Sequence, residues 1–384
     1  MKVIPYGHQS INKSDILEVI KVLKSDWITQ GPYVETFEKS LAQYCEAKYA
    51  VVVSSGTAAL HLACLAARLK EGDEAITTPI TFIATANAIV YTGAKPVFAD
   101  INSSTINIDP QEIEKKITRR TKAILPVHFG GLPCDMTRIH YIARQNKLTV
   151  IEDASHALGA EYQSKGQWIK VGSCQHSDMT VFSFHPVKHI TTGEGGAITT
   201  NNKKLYKYLT SLRNHGIYRD EKTKRRGPWV YEMHHLGYNY RLTDFQCVLG
   251  LSQLTRLYHF VSKRQTIAQR YNLVFSQSPY LITPHQGTLQ RSSWHLYVLR
   301  LRLDNMNKTR DDVFRQLQAR KIGVQVHYIP VHLQPYYRKK MGYKSGDFPK
   351  AESYYKGAIS IPLFPAMTND NRRYVIKNIL KIVN

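Results

Sequence analysis

The sequence predicts an α/β fold: a large domain on a mostly parallel sheet, followed by a smaller α+β domain. Three observations predict it. Short β-branched apolar runs alternate with helical patterns from Tyr49 to Leu212, as in a sheet sandwiched by helices. After Leu212 the texture becomes rich in charge and aromatics, and a mixed helix and strand pattern follows. A chain of 384 residues also exceeds what one hydrophobic core ordinarily organises. The large domain is expected over residues 1–250 and the small one over 251–384.

The first helix is expected from Ser14, a favourable N-cap, to Leu23, because Ile16, Leu17, Val19, Ile20 and Leu23 recur at helical spacing. Gly31-Pro32 marks a turn, and a second helix covers Val34–Ala47. Tyr49–Val53 reads as a strand and Ala58–Leu69 as a helix. Buried strands are expected at Ala75–Thr78, Pro96–Ala99, Ala123–Val127, Leu148–Ile151 and Thr180–Phe184. Helices such as Pro110–Ile117 and Met136–Asn146 fill the gaps. Asn214–Tyr240 is a long excursion, more often functional than idle. Helices resume at Thr243–Leu257 and run to Phe275. In His295–Leu303 the residues Tyr297, Leu299, Leu301 and Leu303 face one way, and Val298, Arg300 and Arg302 the other. That is a half-buried strand. Asp311–Arg320 is helical and Val324–Tyr328 is another strand. No internal repeat is visible.

Composition narrows the functional classes. Hydrophobic residues make up 43% and charged residues 21%, the balance of a globular chain. Cys45, Cys64, Cys134, Cys174 and Cys247 are odd in number and form no C-x-x-C pair, which argues against a disulfide framework or zinc site and for a reducing compartment. The segment MKVIPYGHQSINKSD has no apolar run of a signal peptide. The longest uncharged stretch, Ala75–Ala94, is broken by Pro79, Asn87 and Gly93 and is too polar to span a membrane. A cytoplasmic protein with no membrane partner is expected. Lys and Arg total 52 against 29 Asp and Glu, a net charge of +23. The cations are dispersed, and the densest run, Lys222-Thr223-Lys224-Arg225-Arg226, is short. Such a surface suits attraction of small phosphorylated anions better than nucleic-acid recognition.

Three motifs carry chemistry. Ser54-Ser55-Gly56-Thr57 sits between a strand and a helix, where free N–H groups and the dipole suit a phosphate; a plain N-cap with a tight turn is the alternative. In Ile151-Glu152-Asp153-Ala154-Ser155-His156 an aspartate follows an apolar strand, at the edge where open α/β sheets bind ligands. Asp153 alone also reads as an N-cap or a buried ion-pair partner, and His156 alone as a structural histidine. The third motif, Phe182-Ser183-Phe184-His185-Pro186-Val187-Lys188, is followed by Gly193-Glu194-Gly195-Gly196. It places a lysine, the residue that forms Schiff bases with carbonyls, five positions past a strand end. A phosphate cradle, a carboxylate and a lysine match the phosphate, ring nitrogen and aldehyde of pyridoxal phosphate.

With these residues in order, the sequence resembles the DegT/DnrJ/EryC1/StrS sugar aminotransferases of the aspartate-aminotransferase fold type, over essentially the whole chain. The resemblance rests on Ser55-Gly56-Thr57-Ala58-Ala59-Leu60, Thr81-Phe82, Glu152-Asp153-Ala154-Ser155-His156-Ala157, Ser183-Phe184-x-x-x-Lys188 with Gly193-Glu194-Gly195-Gly196, and Gly237-Tyr238-Asn239-Tyr240-Arg241. The wording S-F-H-P-V-K-H-I-T-T-G-E-G-G is similar to that of the UDP-4-amino-4,6-dideoxy-N-acetyl-β-L-altrosamine transaminases of pseudaminic acid biosynthesis. Ser155 and His156 stand where many relatives carry alanine and glutamine.

The resemblance implies roles residue by residue. Lys188 would bond the cofactor aldehyde and later shuttle a proton between the cofactor and sugar C4. Asp153 would pair with the pyridine nitrogen, Phe82 would stack on the ring, and His156 would lie near the phenolic oxygen. Ser55, Gly56, Thr57 and Ser183 would hold the phosphate, joined by Asn239 from the neighbouring subunit of a homodimer. Tyr6, the stretch Asp26, Trp27, Ile28 and Thr29, and the stretch Gln325, Val326, His327 and Tyr328 would touch the nucleotide-sugar, which Gly56, Ser183 and Asn239 would also border. Without the resemblance, Phe82 reads as a core aromatic, Tyr6 and Trp27 as groove aromatics, Asn239 as a turn residue or cap, and His327 and His332 as structural; no spacing supports a metal.

The implied reaction is a ping-pong transamination, with L-glutamate as amino donor and a UDP-linked 4-keto sugar as acceptor. Alternatives are another nucleotide-sugar aminotransferase, with a different sugar or nucleotide, and a cofactor-binding regulator on nucleic acid. A dehydratase of the same fold would carry histidine where Lys188 stands, and no helix-turn-helix appendage supports the regulator.

Overall fold

The computed structural model describes residues 3–384. Helix α1 (Lys13–Leu23) is capped by Asn12 rather than Ser14: the Asn12 side chain accepts the Asp15 N–H, and the Asp15 carboxylate takes the Asn12 N–H in return. After α2 (Pro32–Cys45) come β1 (Tyr49–Val53), α3 (Gly56–Ala66), β2 (Glu74–Thr77), α4 (Ala84–Tyr91) and β3 (Lys95–Phe98). Next are α5 (Pro110–Lys116), β4 (Thr121–Leu125), α6 (Met136–Gln145) and β5 (Thr149–Asp153). A hairpin of β6 (Glu161–Ser164) and β7 (Gln167–Lys170) precedes β8 (Met179–Ser183), β9 (Gly196–Thr200) and α7 (Lys203–Arg213).

Seven of these strands form one sheet in the order β1-β9-β8-β5-β4-β2-β3. The run from β3 to β8 is parallel, and β9 lies antiparallel to both of its neighbours. Helices cover both faces, which is why the strands read as continuous apolar runs. On β1, Ala50 and Val52 pack with Phe37 and Leu41 of α2 and with α6. Val51 and Val53 turn to the other face, toward α3, α4 and α7. Strand β9 escaped the sequence reading because its glycine-rich approach carries the signature of a loop.

The excursion Asn214–Tyr240 is not structureless. It folds as β10 (Ile217–Tyr218), α8 (Glu221–Arg225) and β11 (Glu232–Met233), the two strands pairing antiparallel. Then come α9 (Asp244–Thr255), α10 (Leu257–Phe275), β12 (Leu281–Ile282), β13 (Gln290–Arg291), β14 (Tyr297–Leu301), α11 (Arg310–Ala319), α12 (Pro335–Met341), α13 (Pro349–Gly357), β15 (Ala358–Ile361) and α14 (Asn369–Val383). Asp15 ties α1 to α9: Ser252 Oγ and Gln253 Nε2 donate to its carboxylate at 2.6 and 2.8 Å, and Arg256 joins them.

A second core forms where β12, β14 and β15 meet α10, α11 and α14. Tyr297, Leu299 and Leu301 point into it, as their alternation predicts, while Val298 is buried on the opposite side. Helix α10 joins the two cores, with Phe260 in the first and Tyr271 and Phe275 in the second. The expected strand Val324–Tyr328 is absent apart from one bridge, Gln325 with Ser360. Pro330, which has no N–H to give a ladder, follows close behind. All five cysteines are buried and free, and among the described residues no helix is long and apolar enough to cross a membrane.

Candidate active site

The predicted residues meet beyond the carboxyl ends of β5 and β8. Ser55, Gly56, Thr57, Phe82, Asp153, His156, Ser183 and Lys188 line one cavity of about 710 Å³, and Tyr6 and Gln325–Tyr328 line it too. The amino-terminal segment reaches it through the pairing of Ile4 with Ile322. Asp26, Trp27, Ile28, Thr29 and Asn239 are not brought there: all five are exposed and lie outside the cavity of this chain.

Helix α3 begins two residues earlier than its apolar pattern suggests, because Ser55 is its N-cap; Ser55 Oγ accepts the Ala58 N–H at 3.0 Å. The cap leaves the N–H groups of Gly56 and Thr57 without a protein acceptor among the described residues. A Cβ on Gly56 would fall 2.8 Å from the Ser183 Cβ, so only glycine lets the turn and the end of β8 approach this closely. Free donors at a helix start beside a serine hydroxyl suit a phosphate.

Asp153 closes β5 and is 4% exposed. Its Oδ2 accepts the Thr85 hydroxyl at 2.6 Å and its Oδ1 the Ser155 N–H at 3.1 Å, with the Thr81 hydroxyl 2.8 Å behind Thr85. It caps no helix, and among the described residues no side-chain cation pairs with it. A buried carboxylate so placed suits a protonated ring nitrogen.

Glu152, one residue earlier, points to the other face of the sheet. His128 Nδ1 accepts the Cys134 N–H, so its proton sits on Nε2 and is donated to Glu152 at 2.7 Å. Thr180 donates at 2.8 Å and Ser177 joins them. Burial pushes the Glu152 carboxyl up, but these donors outweigh it and hold the group below its ordinary value. The same His128 gives its backbone N–H to the Asp153 carbonyl at 3.1 Å. His128→Leu should therefore cost about 3 kcal/mol of stability, because a buried carboxylate loses a charged hydrogen bond. An unchanged urea midpoint would show that the pair contributes nothing.

Lys188 sits in the cavity, and its Nζ has no hydrogen-bond or ion-pair partner among the described residues. Burial drives its ammonium down to about 8; Asp153 opposes that shift and Arg264 adds to it. Only the neutral amine attacks an aldehyde, and its fraction grows as pH rises through the pKa. The rate at which the cofactor-free protein captures pyridoxal phosphate should accordingly rise to a plateau with a midpoint near pH 8. A midpoint at the ordinary lysine value of about 10.4 would contradict the burial argument.

Phe82 is 56% exposed, with its ring 6.1 Å from Tyr328, so it is not a core aromatic. Sequence reasoning missed Thr85, one of many threonines in its stretch, and His295, hidden in a strand pattern. The His295 ring lies 4.4 Å from that of His156. Arg264, fully buried, donates to the carbonyls of Trp294, His295 and Leu363 and so anchors that segment. His327 bonds Ser360 Oγ at 2.7 Å; His332 bonds Glu352 at 3.0 Å, outside the cavity.

An amine, a carboxylate and a helix start gathered around one cavity fit the three handles of pyridoxal phosphate, and the fold and site define a pyridoxal-phosphate-dependent aminotransferase. The chain belongs to the DegT/DnrJ/EryC1/StrS aminotransferase family, whose model matches residues 9–380. It is 44% identical over 383 residues to the spore coat polysaccharide biosynthesis protein SpsC of Bacillus subtilis, covering 99% of this chain and 97% of that one. It is 40% identical over 384 residues to a UDP-4-amino-4,6-dideoxy-N-acetyl-beta-L-altrosamine transaminase of Campylobacter jejuni, covering 99% and 98%. Among solved structures, Helicobacter pylori PseC, an aminotransferase involved in the biosynthesis of pseudoaminic acid, superposes with a TM-score of 0.92 at 33% identity, covering 100% of this chain and 99% of PseC. The sugar aminotransferase Spr1654 of Streptococcus pneumoniae, described as putative, superposes in its PLP form with a TM-score of 0.90 at 30% identity, covering 99% and 98%.

Proposed function

We propose that this sugar aminotransferase carries nitrogen from L-glutamate to C4 of a UDP-linked 4-keto-6-deoxy-N-acetyl-hexosamine, in the cytoplasm and in pseudaminic acid biosynthesis. The observation that carries the reading is that an unpartnered Lys188 amine and the buried Asp153 carboxylate line one cavity. The names of the Campylobacter and Helicobacter proteins support the sugar. Pyridoxal phosphate, when bound, supplies the electron sink for the carbanion. The chain's own residues do the rest. Gly56, Thr57 and the Ser55 and Ser183 hydroxyls hold the phosphate, and Phe82 offers a flat apolar surface to the ring. Asp153 keeps the ring nitrogen protonated. The Lys188 amine takes and returns a proton at sugar C4. Tyr6 and Gln325–Tyr328 border the nucleotide-sugar, and the basic surface draws its diphosphate.

The active unit in this reading is a homodimer with shared sites. Ile16, Leu17, Ile20 and Leu23 of α1, with Trp27 and Ile28, are exposed, an apolar face that a second copy would cover. Asn239 and the Asp26–Thr29 stretch, exposed in one chain, would then complete the partner's cavity. Mixing Lys188→Ala with Asn239→Ala protomers should restore measurable turnover, since one hybrid site holds both native residues; no recovery would argue for unshared sites.

A second reading follows from the likeness to SpsC: a different sugar, in a polysaccharide pathway. Incubating the enzyme with glutamate and a panel of 4-keto nucleotide-sugars, with mass-spectrometric detection of amino products, separates the two. The first predicts the UDP-linked N-acetyl sugar as best acceptor, and preference for a TDP-linked or non-acetylated sugar overturns it.

A further inference from the structure

Arg264, on α10, is 1% exposed and forms no ion pair among the described residues. Its Nη1 donates to the carbonyls of Leu363, His295 and Trp294 at 2.8, 3.2 and 3.3 Å. Its Nε and Nη2, also buried, have no protein partner among the described residues. Burial lowers the guanidinium to about 10 and no carboxylate raises it, so it stays charged at neutral pH. A neutral amide could serve the same carbonyls, whereas a cation buried without a counter-charge is destabilising. The charge calls for a role of its own.

Arg264 does not line the cavity, but it holds one of its walls. Trp294 sits in the left-handed backbone region at φ +54°, an uncommon place for a bulky side chain. The turn around it is fixed from several directions. The Ser293 N–H donates to the Gly131 carbonyl at 3.1 Å and Ser293 Oγ to the His156 carbonyl at 3.2 Å, while Arg264 takes the next two carbonyls. His189 Nε2 donates to the Ser293 carbonyl at 3.1 Å, and His189 follows Lys188 directly in the chain. The turn that binds Arg264 therefore also supports the lysine. His295, the last residue of that turn, lines the cavity with Lys188, its ring 5.6 Å from that of His189.

We propose that Arg264 is a positioning residue for Lys188: bound to the turn on which that lysine rests, it presents a fixed cation beside the His295 wall and keeps the amine ready to attack. This rests on Lys188 as the amine that takes the cofactor. Asp153, Tyr6, His156, His295, His327 and Tyr328 share its cavity, as do the exposed His185 and Glu194, and His189 adjoins it. Burial holds His156, His189, His295 and His327 uncharged, and both tyrosines are raised and keep their protons. Asp153 then favours the ammonium form of Lys188 and Arg264 disfavours it. Without the Arg264 cation that repulsion is gone, and the ammonium persists to higher pH.

The test is competitive labelling of the cofactor-free protein with acetic anhydride across pH, with mass mapping of the Lys188 peptide. Only the neutral amine is acetylated, so the midpoint of labelling reports its titration. The wild-type midpoint should fall near pH 8, and one at the ordinary lysine value of about 10.4 would overturn the assignment. Arg264→Gln, which keeps a donor for the carbonyls but not the charge, should raise the midpoint by about half a unit or more. If that variant fails to fold, Arg264→Met, of similar length and without a charge, takes its place with the same expectation. Ser293→Ala loosens the same turn while leaving the cation, and should shift the midpoint by less than half as much. A midpoint unmoved by loss of the charge, or moved as far by Ser293→Ala, would overturn the proposal. A Lys188 that titrates as described yet captures no pyridoxal phosphate would contradict the cofactor site instead, and leave its coupling to Arg264 standing.

Discussion

Lys188→Ala is expected to lower amine transfer by about 10⁴-fold or more while leaving the fold intact. The size of the loss reflects two roles in one side chain, the covalent hold on the cofactor and the movement of a proton at the reacting carbon. The intact fold follows from what the amine does not do. Among the described residues its Nζ pairs with no acceptor, and burial already disfavours its charged form. Removing it abandons no hydrogen bond and relieves a desolvated cation, so the melting temperature should stay or rise. Lys188→Arg keeps a charge and should be equally inactive, because a guanidinium is not a nucleophile at neutral pH. Normal transfer by either variant would refute the assignment.

Asp153→Asn is expected to slow proton abstraction by about 10³-fold or more. The substitution is close to isosteric, and its amide oxygen can still accept from Thr85 or from the Ser155 N–H, so the strand end should keep its shape. What disappears is the negative charge. Without it a pyridine nitrogen has nothing to hold its proton, and the electron sink weakens. Thr85→Val, which removes one donor but leaves the carboxylate, should cost far less, about 10-fold, as loss of one hydrogen bond to a charged group. Near-wild-type rates in Asp153→Asn would count against the charge, and equal losses in the two variants would shift the role to the threonine pair.

The strands that present these groups were legible because their ends coincide with changes of texture. Apolar Thr149–Asp153 stops at a carboxylate, and Met179–Ser183 stops just before His-Pro and the lysine. The cap at Ser55 was legible as chemistry, although the start of its helix was not, since glycine and threonine are weak helix formers. Other features depend on long-range contacts that no local pattern encodes. Thr85 reaches Asp153 across 68 residues, and His295 reaches His156 from a segment whose neighbours Trp294 and Tyr297 belong to the second core. Strand β9 runs antiparallel after a glycine cluster, where periodicity favours a loop. The Val324–Tyr328 stretch has the apolar alternation of a strand, yet it is spent on lining the cavity, with a single bridge to Ser360. The hydrogen bond between His156 and Tyr328 lies further still from sequence, since it spans 172 residues.

The most direct measurement is borohydride reduction of the protein loaded with pyridoxal phosphate, followed by digestion and mass mapping. A yellow protein that bleaches on reduction and carries one pyridoxyl group, on the peptide containing Lys188, is the predicted result. A protein that stays colourless and unlabelled with the cofactor in excess, or that is labelled at a different lysine, would contradict the account at its root.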